Sequence, residues 1–151
     1  MKIITTSLTL LILSIGSASY ASDRFLEGDL RANCSSLYPE NTAVQSICLN
    51  AAGSCVSLYM IDRRDDVQED QVMGAIETCT QLQYQANAEY MKWAESSGVK
   101  DTYKRYMSGA LTYEDATRNQ RFMQVNECRV SSKTHGYTNY VKMWECIQQR
   151  R

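Results

Sequence analysis

Six cysteines lie behind a cleavable export signal, and together these two features limit the folds open to the chain more than anything else in it. An exported chain meets an oxidising compartment, where an even set of cysteines is consumed as disulfides. Thiols tied up in this way are lost as nucleophiles and as metal ligands. The expectation is a stapled scaffold whose shape follows from where the cysteines fall.

The signal has three parts. Lys2 gives a positive start, Ile3 to Ile15 is mostly apolar, and Gly16 to Ser19 is a run of small residues. Ser19-Tyr20-Ala21 then sets small side chains at the −3 and −1 positions of a peptidase site, which predicts cleavage after Ala21. The apolar run is shorter than the roughly 20 residues of a membrane span. Residues 1–21 are therefore read as a leader and 22–151 as one domain, exported to the periplasm or secreted. The bacterial style of the signal favours the periplasm. No cysteine follows the cut, so no lipid anchor is expected.

Of the 151 residues, 130 remain after position 21, enough for one real core. Losing Lys2 leaves 15 basic against 17 acidic residues, a net charge of −2 that calls for neither nucleic acid nor an anionic membrane as partner. No second apolar stretch of spanning length occurs, so no membrane insertion is expected after cleavage. Pro39 is the only proline, glycine is sparse, and good helix formers abound. Alternating apolar runs are nearly missing. The reading is an all-α, disulfide-stapled bundle of about five helices arranged as successive hairpins.

The helices can be placed along the chain. Ser22 or Asp23 opens a first helix to about Cys34, with Leu26, Leu30 and Cys34 on one face. Ser35 to Glu40 reads as a turn. Asn41 or Thr42 caps a second helix whose stripe is Val44, Ile47, Cys48, Ala51, Cys55, Leu58 and Tyr59. After a charged connection, a long helix from about Val67 to Glu95 carries Val72, Ile76, Cys79, Gln83, Ala86, Tyr90 and Trp93, with Ala75 and Leu82 beside them. Gly74 is a kink candidate within it, and Ser96-Ser97-Gly98 ends it. Asp101 opens a short helix with Tyr103, Tyr106 and Met107. Thr112-Tyr113-Glu114-Asp115 resembles a capping box that starts a helix to about Ser131. Ser131 to Tyr137 is a loop, and Thr138 or Asn139 caps the last helix.

Distance decides how the cysteines pair. Cys48 and Cys55 are seven residues apart on one helix, about 10.5 Å of rise, whereas a disulfide needs Cα atoms within roughly 7 Å. They cannot join each other. In an antiparallel hairpin, residues equidistant from the loop centre face one another. Cys34 and Cys48 centre on 41, Cys55 and Cys79 on 67, and Cys128 and Cys146 on 137, each at or beside a predicted connection. The predicted bridges are Cys34–Cys48, Cys55–Cys79 and Cys128–Cys146. The spacing departs from that of the insect odorant-binding proteins, another helical six-cysteine family, because Cys48 and Cys55 stand too far apart.

Reactive constellations are hard to find. The only histidine, His135, lies in a Lys133-Thr134-His135-Gly136 loop with no Gly-x-Ser-x-Gly turn in the chain. No Cys-x-x-Cys or Cys/His cluster of zinc spacing occurs, and no Gly-rich phosphate loop. No cofactor or metal is expected. Asp62, Asp65, Asp66, Glu69 and Asp70 crowd one connection and helix start beside Arg63 and Arg64, where acids suit the helix dipole and do not space as a calcium loop. Tyr103-Lys104-Arg105-Tyr106 mixes basic and aromatic residues, for which packing one turn apart is the simpler explanation than nucleic acid. Tyr and Trp outnumber Phe, as at binding surfaces.

These observations point to a non-enzymatic module that binds another protein, as an inhibitor or immunity-type protein acting on an envelope enzyme. The acidic residues Asp62, Asp65, Asp66, Glu69 and Asp70, and the pair Tyr103 and Tyr106, are the candidate contacts. Two other classes compete. A carrier of a small apolar ligand would need an apolar cavity, and a carboxylate-dependent hydrolase would need two acids facing each other in a cleft.

Overall fold

The computed structural model describes residues 18–61 and 69–151, with side-chain environments for 28–58 and 71–151. Among these residues run seven helices: α1 Ala18–Leu37, α2 Thr42–Ile61, α3 Glu69–Ser96, α4 Val99–Met107, α5 Tyr113–Thr117, α6 Gln120–Ser131 and α7 Tyr140–Gln149. One antiparallel hairpin, β1 Lys133–Thr134 and β2 Tyr137–Thr138, sits between α6 and α7. The fold is the all-α stapled bundle expected, with more helices than the five anticipated.

The helix ends carry local chemistry, and several departures from expectation have a local cause. Helix α1 continues through Ser35 to Leu37, where a turn was expected, because Tyr38 N still donates to Cys34 O at 3.1 Å. Pro39 then stops it, since proline has no N–H and disfavours a helical residue before it. Asn41 caps α2 by accepting from Val44 N at 3.1 Å. Gly98 closes α3 with a φ of 77°, open to glycine at little cost. Helix α4 begins at Val99 rather than Asp101, and Val99 is buried. The single helix expected after Thr112 is two. Thr112 caps α5, and Asn119, in extended backbone, starts α6 by accepting from Arg121 N and Phe122 N. The expected loop at 131–137 holds the hairpin, whose two turn residues, His135 and Gly136, both have positive φ as a type I′ turn requires.

Packing follows the cysteines. Helices α1 and α2 form one antiparallel pair, α2 and α3 a second, and α6 and α7 a third, and α7 also lies along α3. Each pair carries one bridge: Cys34–Cys48, Cys55–Cys79 and Cys128–Cys146, with Cα atoms 5.8, 5.8 and 5.6 Å apart. All three predicted pairings are present. The core gathers Ala51, Ala94, Val99, Val125, Cys128, Tyr140, Met143 and Ile147 from α2, α3, α4, α6 and α7.

Helix α2 was read as amphipathic, but Gly53, Ser54 and Val56 are buried along with Cys48, Ala51 and Cys55. It is covered on a second face because the hairpin docks there. Thr138 N donates to Asn50 Oδ1 at 2.8 Å, and the Tyr137 ring lies over Gly53. A Cβ on Gly53 would come within 2.5–2.7 Å of three ring atoms. Gly53→Ala should therefore destabilise by about 1–2 kcal/mol despite alanine's better helix propensity. In a Tyr137→Ala background the same change should cost nothing, and urea unfolding of the four-variant cycle measures the difference.

A buried polar joint fixes α7 to α3. Gln83 is 2 % exposed, although it occupies a place in the apolar stripe. Its Oε1 accepts from Tyr140 N at 2.6 Å and Val141 N at 3.3 Å, and its Nε2 donates to Asn139 Oδ1 at 3.1 Å. Asn139 Oδ1 also accepts from Lys142 N, which makes Asn139 the cap of α7. One glutamine thus answers amide groups that the start of a helix leaves without partners.

Candidate functional site

A groove of about 410 Å³ opens where α2, α3, α4 and α6 meet above the hairpin and α7. Each of three helices contributes one stripe at helical spacing: Ala43, Ser46, Ile47 and Asn50 from α2, Asn87, Tyr90, Met91 and Ala94 from α3, and Phe122, Val125, Asn126 and Arg129 from α6. Helix α4 adds Val99, Lys100 and Tyr103, and Tyr140 and Met143 come from α7. The floor is buried and apolar, through Ala94, Val99, Phe122, Val125 and Met143. The mouth is open, with Met91 39 % and Tyr103 45 % exposed.

The groove's electrostatics are one-sided. Lys100 and Arg129 line it, and among the described residues no carboxylate, thiol or imidazole does. Lys100 is paired with Glu95 at 3.0 Å. Arg129 donates from Nη2 to Asn126 Oδ1 at 3.0 Å, and that amide holds the guanidinium in place. Burial pushes the Tyr90 phenol up, with Tyr103 adding to the effect and the charge of Arg129 opposing it. Burial likewise pushes Tyr140 up to about 12, with Tyr90 and Tyr84 adding. Both phenols are neutral hydroxyls at physiological pH. Such a surface can bury apolar groups, exchange hydrogen bonds with acceptors and hold an anion.

The raised Tyr140 pKa carries a stability prediction. The folded state holds the proton more tightly than the unfolded chain does, so this contribution is complete below pH 10 and is lost as pH rises toward 12. Tyr140→Phe should lose less stability than the wild type between those limits, by roughly 2 kcal/mol. Urea unfolding at several alkaline pH values gives both curves, and parallel curves would contradict it.

The expected contact residues divide. Tyr103 lines the groove and lies 6.4 Å from Phe122, centroid to centroid. Tyr106 is half-buried, edge-on to Phe122 at 5.9 Å and to Tyr113 at 6.0 Å. It supports the ridge more than it presents a free surface. Asp62, Asp65 and Asp66 lie outside the described residues, and Glu69 and Asp70 are the first two residues of α3. Leu82, expected beside the α3 stripe, is 51 % exposed and stands in a shallow recess with Ala75 and Val141.

Residues missing from the sequence reading matter here. Asn87, Met91, Asn126 and Arg129 reach the groove from faces adjacent to the core stripes, and helical spacing from Tyr90 and Val125 is the only signal that marks them. A further depression near the chain's end holds Arg121, Arg150 and Arg151, all engaged within the protein. Arg121 donates to Ser97 O, Arg150 pairs with Glu127, and Arg151 lies over Trp93 and Trp144 at 5.1 and 4.5 Å. Among the described residues no cysteine is free, no cluster of three metal-ligating side chains forms, and no helix is long and apolar enough to cross a membrane. Compared with known proteins, the chain matches no family model, no curated protein and no solved structure.

Proposed function

We propose that the protein is an exported binding module that engages another protein through this groove and the aromatic ridge beside it, acting as an inhibitor of an envelope enzyme. One observation supports this reading most: the apolar groove continues into exposed aromatic surface. Tyr103 at its mouth packs on Phe122, Tyr106 packs on the same ring, and Tyr113 packs on Tyr106. Tyr113 and Met107 on this ridge are 53 % and 65 % exposed. A small molecule in the groove would leave the ridge bare, whereas a partner's surface would cover both. Three disulfides agree with work in an oxidising compartment outside the cytoplasm.

The carrier reading draws on the groove's volume, which lies in the range of small-ligand pockets. Its open mouth argues against a sequestered ligand. The hydrolase reading asks for facing carboxylates, and among the described residues none lines the groove.

Affinity capture from an envelope extract tests the proposal when wild type is compared with Met91→Ala/Tyr103→Ala. The same protein should be recovered by the wild type and be reduced about thirtyfold with the variant, as for loss of two large apolar contacts. Equal recovery by both overturns the reading. So does a small molecule that co-purifies stoichiometrically in native mass spectrometry, or turnover that depends on Asp or Glu side chains.

A further inference from the structure

Resting on that reading, we infer that the partner segment entering the groove carries a carboxylate beside its apolar side chain, and that Arg129 is the residue that receives it. Arg129 stands at the edge of an apolar floor and is exposed to water. Its counterpart Lys100 already has Glu95 at 3.0 Å. Arg129 pairs with no carboxylate among the described residues, and its hydrogen bond runs to the neutral Asn126 amide.

An apolar partner that filled the groove would strip water from Arg129 and return nothing. An uncompensated buried charge is among the most costly arrangements a protein interface can hold. A carboxylate reverses the balance. Arginine has five N–H donors in a planar fork, and the contact with Asn126 leaves donors for a bidentate pair. The same bond restricts the fork's orientation before the partner arrives, so less side-chain freedom is lost on binding. Among the described residues the lining holds no acid that would repel the incoming group. A basic partner segment would meet the guanidinium of Arg129, which no carboxylate among the described residues neutralises, and like charges disfavour it.

Selection from a displayed library of random 12-residue peptides against the oxidised, full mature chain tests this. The expected result is enrichment of an aromatic or aliphatic residue next to Asp or Glu. Binding of the enriched peptides should fall at least thirtyfold with Met91→Ala/Tyr103→Ala, and about tenfold or more with Arg129→Gln. Arg129→Glu should select basic residues in place of acidic ones. Arg129 is exposed, so an unchanged urea midpoint establishes that both of its variants fold.

Peptides that need Met91 and Tyr103 but show no acidic preference, and bind Arg129→Gln unchanged, overturn this inference and leave the docking reading standing. Peptides indifferent to Met91 and Tyr103, or no enrichment at all, overturn both. Stoichiometric binding of dodecanoate that is lost in Arg129→Gln, without any enriched peptide, assigns the groove to a free amphipathic acid and overturns the protein occupant.

Discussion

Replacing Cys55 and Cys79 together with alanine should lower global stability by about 3 kcal/mol or more, with the urea midpoint falling accordingly. This bridge closes a separation of 24 residues and fastens α2 to α3. Helix α2 is in turn packed against α1, α3 and the hairpin, so the joint lies where most of the fold depends on it. Cys55 is wholly buried, and its truncation adds a cavity to the lost constraint.

The Cys34–Cys48 bridge should behave differently. Helix α1 packs principally on α2, so removing its staple lets α1 detach without opening the core. The expected signature of Cys34→Ala/Cys48→Ala is fast amide exchange confined to α1, with a smaller fall in the global midpoint. Chain entropy alone cannot produce that contrast. The separations of 24 and 14 residues differ by only about 0.5 kcal/mol in loop-closure entropy. Equal global losses from the two double variants would mean that α1 folds with the core as one unit.

Gln83→Leu should cost about 3 kcal/mol, although leucine matches the apolar stripe and has a similar volume. The substitution leaves Tyr140 N without its 2.6 Å acceptor and Val141 N without its longer one. Asn139 loses the donation from Nε2 but still caps Lys142 N. The loss should therefore show first at the Tyr140 and Val141 amides, whose exchange protection should drop more than that of the rest of α7. Gln85→Leu, at an exposed position two residues on, is the control and should be near neutral. A Gln83→Leu variant as stable as the wild type would mean that water can reach and satisfy the start of α7.

Particular residues mark where sequence reasoning held and where it stopped. Cys55 and Cys79 could be paired because a hairpin's register follows from its loop centre, and the loop centre is visible as a break in periodicity. Thr112 and Asn139 could be recognised as caps because a cap bonds to amides three residues away. Asn119 has the same chemistry but was hidden inside an apparently continuous helical pattern. The break falls between the buried Ala116 and Phe122.

What the chain by itself determined was therefore local: helical class, caps, turn residues and the three staples, all set by neighbours within a turn or by loop length. What only the tertiary structure decided was non-local. Gln83 reads as a flaw in an apolar stripe until Tyr140, 57 residues later, brings its amide to it. Gly53 carries no sequence signal of its role, and the Tyr137 ring that lies over it supplies the reason for a glycine there. The groove is the furthest from the sequence, because helical periodicity tells which face is covered but not where packed helices fail to meet. Arg129 lay on no apolar stripe, and its place beside that gap depends on four helices converging around it.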